Sequence, residues 1–129
     1  MTQKERYRLI YGELSRKWSM TIIKDIFLGY KTFSGFLEVN EGLTNKVLSD
    51  QLKRLEELGF IKKEIVSITP LKATYELTPM GKSLNKLVYE MIMFGLDNKI
   101  FDRTYPLIAG KNLEEIFEIG VRPLKWTGS

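Results

Sequence analysis

Between residues 43 and 77 the hydrophobic rhythm of the chain changes from helical to strand-like. Leu48, Leu52, Leu55 and Leu58 fall in one sector when each residue is turned about 100° from the last, while Lys46, Ser49, Asp50, Lys53 and Glu57 point the other way. That is an amphipathic helix, with Thr44 as its N-cap and an end near Gly59. Two short strand-like runs follow, residues 61–68 and 73–77, joined by the loop Thr69-Pro70-Leu71-Lys72. Proline lacks the N–H that a ladder needs, so Pro70 belongs at a turn or an edge. A helix with a polar and basic face, followed at once by a small hairpin, suits insertion into a DNA major groove with the hairpin as a wing beside it.

The flanking pattern is helical. Tyr7, Ile10, Tyr11 and Leu14 define a first helix over residues 3–14, and Trp18, Ile22, Ile23, Ile26 and Phe27 a second over 17–28, with Gly29 at its C-terminal cap. Trp18 lies on that stripe and reads as a core anchor rather than an aromatic stacker. Thr32 or Ser34 can cap a short third helix that turns Phe33, Phe36, Leu37 and Val39 inward, and Asn40-Glu41-Gly42 makes a turn. After the hairpin, Thr78 and Pro79 open a long helix reaching about residue 101. Asn112 caps a last short helix, and residues 122–129 read as a frayed tail. The fold class is therefore α+β, mainly α: a winged helix-turn-helix with a two-stranded wing and additional N- and C-terminal dimerisation helices. We expect a DNA-binding and dimerisation domain over 1–103 and a C-terminal extension over 104–129, its tail partly flexible.

Composition narrows the chemistry. The 129 residues suffice for one domain with a core. Cysteine and histidine are absent, which removes disulfides, thiol nucleophiles, Cys/His zinc sites and the usual general base at neutral pH. No Gly-rich phosphate loop, nucleophile elbow or paired-carboxylate motif appears. We therefore expect neither an enzyme nor a cofactor. No apolar run is long enough to span a bilayer, and a cytoplasmic location is the default expectation. The net charge of +4 is concentrated in residues 1–31, where seven basic residues face three acidic ones. A positive balance of this size favours a polyanionic partner.

In a helix-turn-helix the N-terminal part of the second helix reaches the base edges. This selects Thr44, Asn45, Lys46, Ser49, Asp50 and Lys53 as candidate DNA-reading residues. Asparagine can pair bidentately with adenine, and lysine can reach guanine O6 and N7. Asp50 can accept from a cytosine amino group, repel phosphate, or orient Lys46 or Arg54. Lys72 on the wing and Lys62 and Lys63 at its base are candidate phosphate or minor-groove contacts. Thr32, Ser34 and Arg54 complete that set. A lysine-protected edge strand is the competing reading for Lys62 and Lys63.

Several fragments in order resemble the HxlR-type winged-helix regulators, relatives of the MarR group. They are Lys17-Trp18, Phe33-Ser34, Gly42-Leu43-Thr44-x-Lys46-x-Leu48, Leu52-x-x-Leu55-Glu56-x-x-Gly59-Phe60-Ile61, Pro70, and Tyr75-Glu76-Leu77-Thr78-x-x-Gly81-x-x-Leu84. The resemblance covers roughly residues 7–101. The resemblance implies a small dimeric transcription factor whose terminal helices form the dimer and whose subunits each carry one recognition helix. Arg16, Thr32, Gly35 and Gln51 depart from the family pattern. Some relatives sense oxidants or aldehydes through an N-terminal cysteine, which this chain lacks.

The helix after the wing is apolar almost all round. Leu84, Leu87, Met91 and Phe94 form one stripe, and Val88, Tyr89, Ile92, Met93 and Leu96 cover much of the rest. Such a helix needs cover on more than one side, from a second copy or from the segment at 112–119. The expected subunit interface is Tyr7, Ile10, Tyr11 and Leu14 with Val88, Tyr89, Ile92, Met93 and Leu96. A cleft lined by Tyr, Phe and Met between the first helix and the helix after the wing is a candidate site for a small apolar effector. The expected function is a sequence-specific, double-stranded-DNA-binding transcriptional regulator acting as a homodimer on a pseudo-palindromic operator. The alternative is a winged-helix adaptor that binds protein instead of DNA.

Overall fold

The computed structural model describes residues 1–104, 108 and 110–120. The frayed tail expected at 122–129 lies outside them. Contacts divide the chain into two compact units, residues 1–82 and 83–129.

The first unit runs α1 (Gln3–Leu14), α2 (Ser19–Phe27), α3 (Phe33–Val39), α4 (Asn45–Glu57), β1 (Ile61–Ile68), β2 (Leu71–Leu77) and α5 (Pro79–Lys82). Threonine side chains cap α1, α3, α4 and α5, the last through Thr78, whose hydroxyl accepts from Gly81 N–H at 3.1 Å. The hydroxyls of Thr2, Thr32 and Thr44 accept from the N–H groups of Glu5, Gly35 and Val47 at 3.0, 3.0 and 3.2 Å. Of the two candidate caps for α3, Thr32 takes the role. Gly42 turns the chain between α3 and α4 at a φ of 89°, where a side chain would be strained. Ile22, Ile23, Phe36, Leu48, Leu52, Leu55, Phe60, Ile61 and Leu77 are buried, so the apolar stripe of α4 lies inward as its periodicity predicts.

The two strands pair antiparallel, from Ile61 opposite Leu77 to Ile68 opposite Leu71. β2 begins two residues earlier than the alternation suggests. Between the Ile65–Ala73 and Ser67–Lys72 pairs Val66 is an extra residue, a bulge, and this lets the connection shrink to Thr69-Pro70. Lys72 is therefore a strand residue. The N–H of Tyr75 donates to the carbonyl of Lys31 at 2.8 Å, which ties the base of the wing to the segment before α3.

The long helix expected after the wing is two helices. α5 ends at Lys82 and α6 covers Asn85–Asp97. Gly81, Ser83 and Asn85 are weak helix formers clustered within five residues, and the break falls among them. In the second unit α6 is covered along one side by α7 (Leu113–Ile116) and its flanks. The Tyr89 and Phe117 rings lie 6.3 Å apart, the Tyr89 hydroxyl donates to Glu114 at 2.9 Å, and Asn85 Nδ2 donates to the Phe117 carbonyl at 2.6 Å. Asn112 caps α7 as expected, accepting from Glu115 N–H at 3.1 Å.

Candidate nucleic-acid interface

The exposed side of α4 carries every residue that the sequence selects for base reading. Thr44, Asn45, Lys46, Ser49, Asp50 and Lys53 are all exposed, and Leu48, Gln51, Leu52 and Leu55 on the other side are buried. Thr44 uses its hydroxyl to cap the helix. Lys46 Nζ lies 3.5 Å from Asp50 Oδ2, and the two side chains are 86% and 53% exposed. Among the readings of Asp50, the geometry matches the one in which it orients Lys46. A pair this open is worth under about 1 kcal/mol, so Lys46 can exchange it for another anion. Val47, 40% exposed, belongs to the same surface although it was not selected from the sequence. Its apolar face can meet a thymine methyl.

The turn that sets the entry of α4 is held by a buried carboxylate. Asp25 on α2, 2% exposed, accepts from Asn40 Nδ2 at 2.7 Å, and Lys24 Nζ lies 3.2 Å from its other oxygen. Asn40 Nδ2 also reaches the Phe36 carbonyl at 2.8 Å, closing the end of α3. Burial pushes the Asp25 carboxyl above the ordinary carboxylate range, against the Lys24 charge and the Asn40 amide, which pull it down.

The secondary contacts divide. Ser34, Lys62, Lys63 and Lys72 are exposed. Lys62 lies 3.7 Å from Glu76 across the wing, and the Lys63 N–H donates to Glu56 at 3.2 Å. Thr32 is exposed, but its hydroxyl is engaged in capping α3. Arg54 is drawn inward: its Nη2 donates to Gln51 Oε1 at 2.8 Å, and its Nε lies 3.3 Å from Glu13 Oε1 in an ion contact without hydrogen-bond alignment. It is held by protein partners rather than extended toward a phosphate. Gln51 is buried among the same groups, so its departure from the basic pattern removes nothing from the exposed surface.

The expected subunit interface also divides. Val88, Tyr89 and Ile92 are 2%, 7% and 3% exposed within the single chain, so they are unavailable to a partner. The reason is visible at Tyr89, which packs on Phe117 of the C-terminal segment. Met93 and Leu96, with Ile10 and Leu14, are half-buried. Tyr7 and Tyr11 are exposed and stack at 6.0 Å on α1. The open stripe of α6 is instead Leu87, Met91 and Phe94.

Sequence spacing could have located the buried polar groups. Gln51 sits at helical spacing within the stripe Leu48, Leu52, Leu55, and Asp25 within Ile22 and Ile26. A polar residue inside an apolar stripe signals a buried hydrogen bond; its partner, far along the chain, carries no such signal.

A family model for the HxlR-like helix-turn-helix matches residues 13–103. The uncharacterized HTH-type transcriptional regulator YvaP of Bacillus subtilis strain 168 is 32% identical over 94 residues, covering 70% of this chain and 87% of that protein. The structure of the reduced transcriptional regulator YodB from B. subtilis superposes with a TM-score of 0.61 at 27% identity, over 74% of this chain and 92% of that one. The redox regulator HypR in its reduced form gives 0.66 at 26% identity, over 73% and 93%. With the winged architecture and this match over most of its length, the chain belongs to the HxlR-like helix-turn-helix family and is a helix-turn-helix transcriptional regulator.

Proposed function

We propose that the protein is a sequence-specific regulator that binds double-stranded DNA as a homodimer, with α4 in the major groove of each half-site. The observation that carries this reading is the continuous exposed face of Asn45, Lys46, Ser49, Asp50 and Lys53 on a helix buried along its opposite side. Asn45 and the two lysines supply the groups that read adenine and guanine edges. Lys63 and Lys72 on the wing supply positive charge for backbone contacts that orient without specifying. Gln51 and Thr32, two of the departures from the family pattern, would favour the adaptor alternative if they thinned the exposed basic set. Both side chains have structural roles, in the buried cluster and in the α3 cap, and this favours DNA.

Selection of bound sequences from a random duplex library tests the reading. The expected product is an inverted repeat with half-site centres about 34–36 Å apart, one helical turn. Affinity for it should fall steeply between about 50 and 200 mM salt, by on the order of a thousandfold if some six phosphates are neutralised. No enrichment, or an affinity flat in salt, overturns the proposal.

Dimerisation is assigned to the open stripe Leu87, Met91 and Phe94 of α6. Three large apolar side chains in one row form the kind of patch that marks an interface. Met91→Glu with Phe94→Glu is expected to give a folded monomer by analytical ultracentrifugation, where the unaltered protein sediments as a dimer. A double variant that remains dimeric moves the interface elsewhere.

A further inference from the structure

α1 is twelve residues long, and its only buried residue is a carboxylate, Glu13. Glu13 Oε2 accepts from Ser19 Oγ on α2 at 2.7 Å and from Gln51 Nε2 on α4 at 2.8 Å. Its Oε1 lies 3.3 Å from Arg54 Nε, and Arg16 Nε stands 3.9 Å from Oε2 at the rim. Gln51 Oε1 in turn accepts from Arg54 Nη2 at 2.8 Å, and Gln51 Nε2 lies 2.7 Å from Ser19 Oγ. Ser19 and Gln51 are 0% and 1% exposed. One carboxylate on the first helix thus gathers a hydroxyl, an amide and a guanidinium, and two of those three belong to the helix that carries Ser49, Asp50 and Lys53.

We propose that Glu13 is a positioning residue for the DNA-reading surface, acting through Gln51 and Arg54; this rests on the reading of α4 as the recognition helix. Apolar packing is non-directional, so Leu48, Leu52 and Leu55 alone would tolerate small slides and rotations of α4. Hydrogen bonds are not so tolerant. Donor and acceptor must stay within about 2.7–3.2 Å and near alignment. Gln51 is held to Glu13 by such a bond, and Arg54, almost one turn along α4, by its bond to Gln51 Oε1 and its ion contact with the same carboxylate, so the axial position and the rotation of the helix are set together. Base readout needs side chains held to about 0.5 Å and 10–20°. Backbone phosphates, contacted by flexible lysines, need far less. The relay therefore acts on discrimination between sequences and leaves general attraction to DNA intact.

The experiment compares binding to the selected operator and to a random duplex of the same length for full-length variants, with thermal unfolding recorded beside each. Glu13→Gln preserves volume but removes the charge that holds Arg54. It is expected to weaken operator binding about tenfold and leave random-duplex binding within about twofold. The reciprocal exchange, Glu13→Gln with Gln51→Glu, puts a carboxylate back within reach of the amide, Ser19 and Arg54, and is expected to restore the operator-to-random ratio. Arg54→Gln is measured alongside, because it keeps the result readable if Glu13→Gln does not fold. Loss confined to the operator supports the relay. Equal loss on both duplexes with a shallower salt slope makes Arg54 a phosphate contact and overturns it. An unchanged ratio in folded Glu13→Gln, or a folded exchange that fails to recover, also overturns it, and does so without touching the DNA reading. Failure of the unaltered protein to prefer any duplex removes the DNA reading itself, and the role of Glu13 with it.

Discussion

Lys46→Ala combined with Lys53→Ala should abolish operator binding and leave the fold untouched. Both side chains are exposed on the outward face of α4, and alanine is at least as good a helix former as lysine. The ion pair that Lys46 loses with Asp50 is open to solvent, so stability should change by less than about 0.5 kcal/mol. In the groove the balance is different. Each lysine that reaches a base edge contributes about 1–3 kcal/mol to discrimination, so losing two lowers affinity roughly thirtyfold to twenty-thousandfold. The measurement is a fluorescence-anisotropy titration against the selected operator, with circular dichroism as the control on folding. Affinity within twofold of the unaltered protein would show that another face meets DNA. Retaining Asp50 makes the double variant a severe test, because its carboxylate, freed from Lys46, then faces the phosphates alone.

Gly81→Ala is expected to destabilise the first unit by about 1–3 kcal/mol, although glycine-to-alanine in a helix ordinarily stabilises by about 1 kcal/mol. The sign is decided by space. A Cβ at Gly81 would stand 2.1 Å from the Phe60 carbonyl oxygen and 3.2 Å from Leu77 Cδ2. The obstacle is backbone, and it is backbone in use: Phe60 O accepts from the Thr78 N–H at 3.0 Å, while the Thr78 hydroxyl donates to the Gly59 carbonyl and accepts from the Gly81 N–H at 3.1 Å. These bonds join the end of α4, the roots of both strands and α5. Relieving the clash would pull α5 off this junction. Gly12, in the last turn of α1, is the matched control, because a Cβ there meets nothing within 4 Å. Gly12→Ala should raise the unfolding temperature and Gly81→Ala lower it by several degrees. Two shifts of the same sign would show that the close approach at Phe60 is not what holds α5.

Periodicity made much of this protein legible. The stripe Leu48, Leu52, Leu55 lies inward and the face of Lys46, Ser49 and Lys53 outward, because rotation about a helix axis is a local property of spacing. Thr44 and Asn112 cap their helices because a hydroxyl or amide before an apolar run meets the free N–H groups within three residues. Spacing was weaker where one signal had to be divided. The apolar helix after the wing shows its break at Ser83 only once α5 is seen attached through Thr78 and Gly81.

The sequence by itself determined the order of elements as far as the wing, the winged architecture and the face of α4 that meets solvent, because each follows from patterns within a few residues. Tertiary structure alone decided that Arg54 turns inward to Glu13, that Asp25 grips Asn40, and that Val88, Tyr89 and Ile92 are covered within the chain while Leu87, Met91 and Phe94 remain open. The physical reason is separation along the chain. Gln51 and Glu13 stand 38 residues apart, and a helix period states which way a side chain points without stating what arrives to meet it.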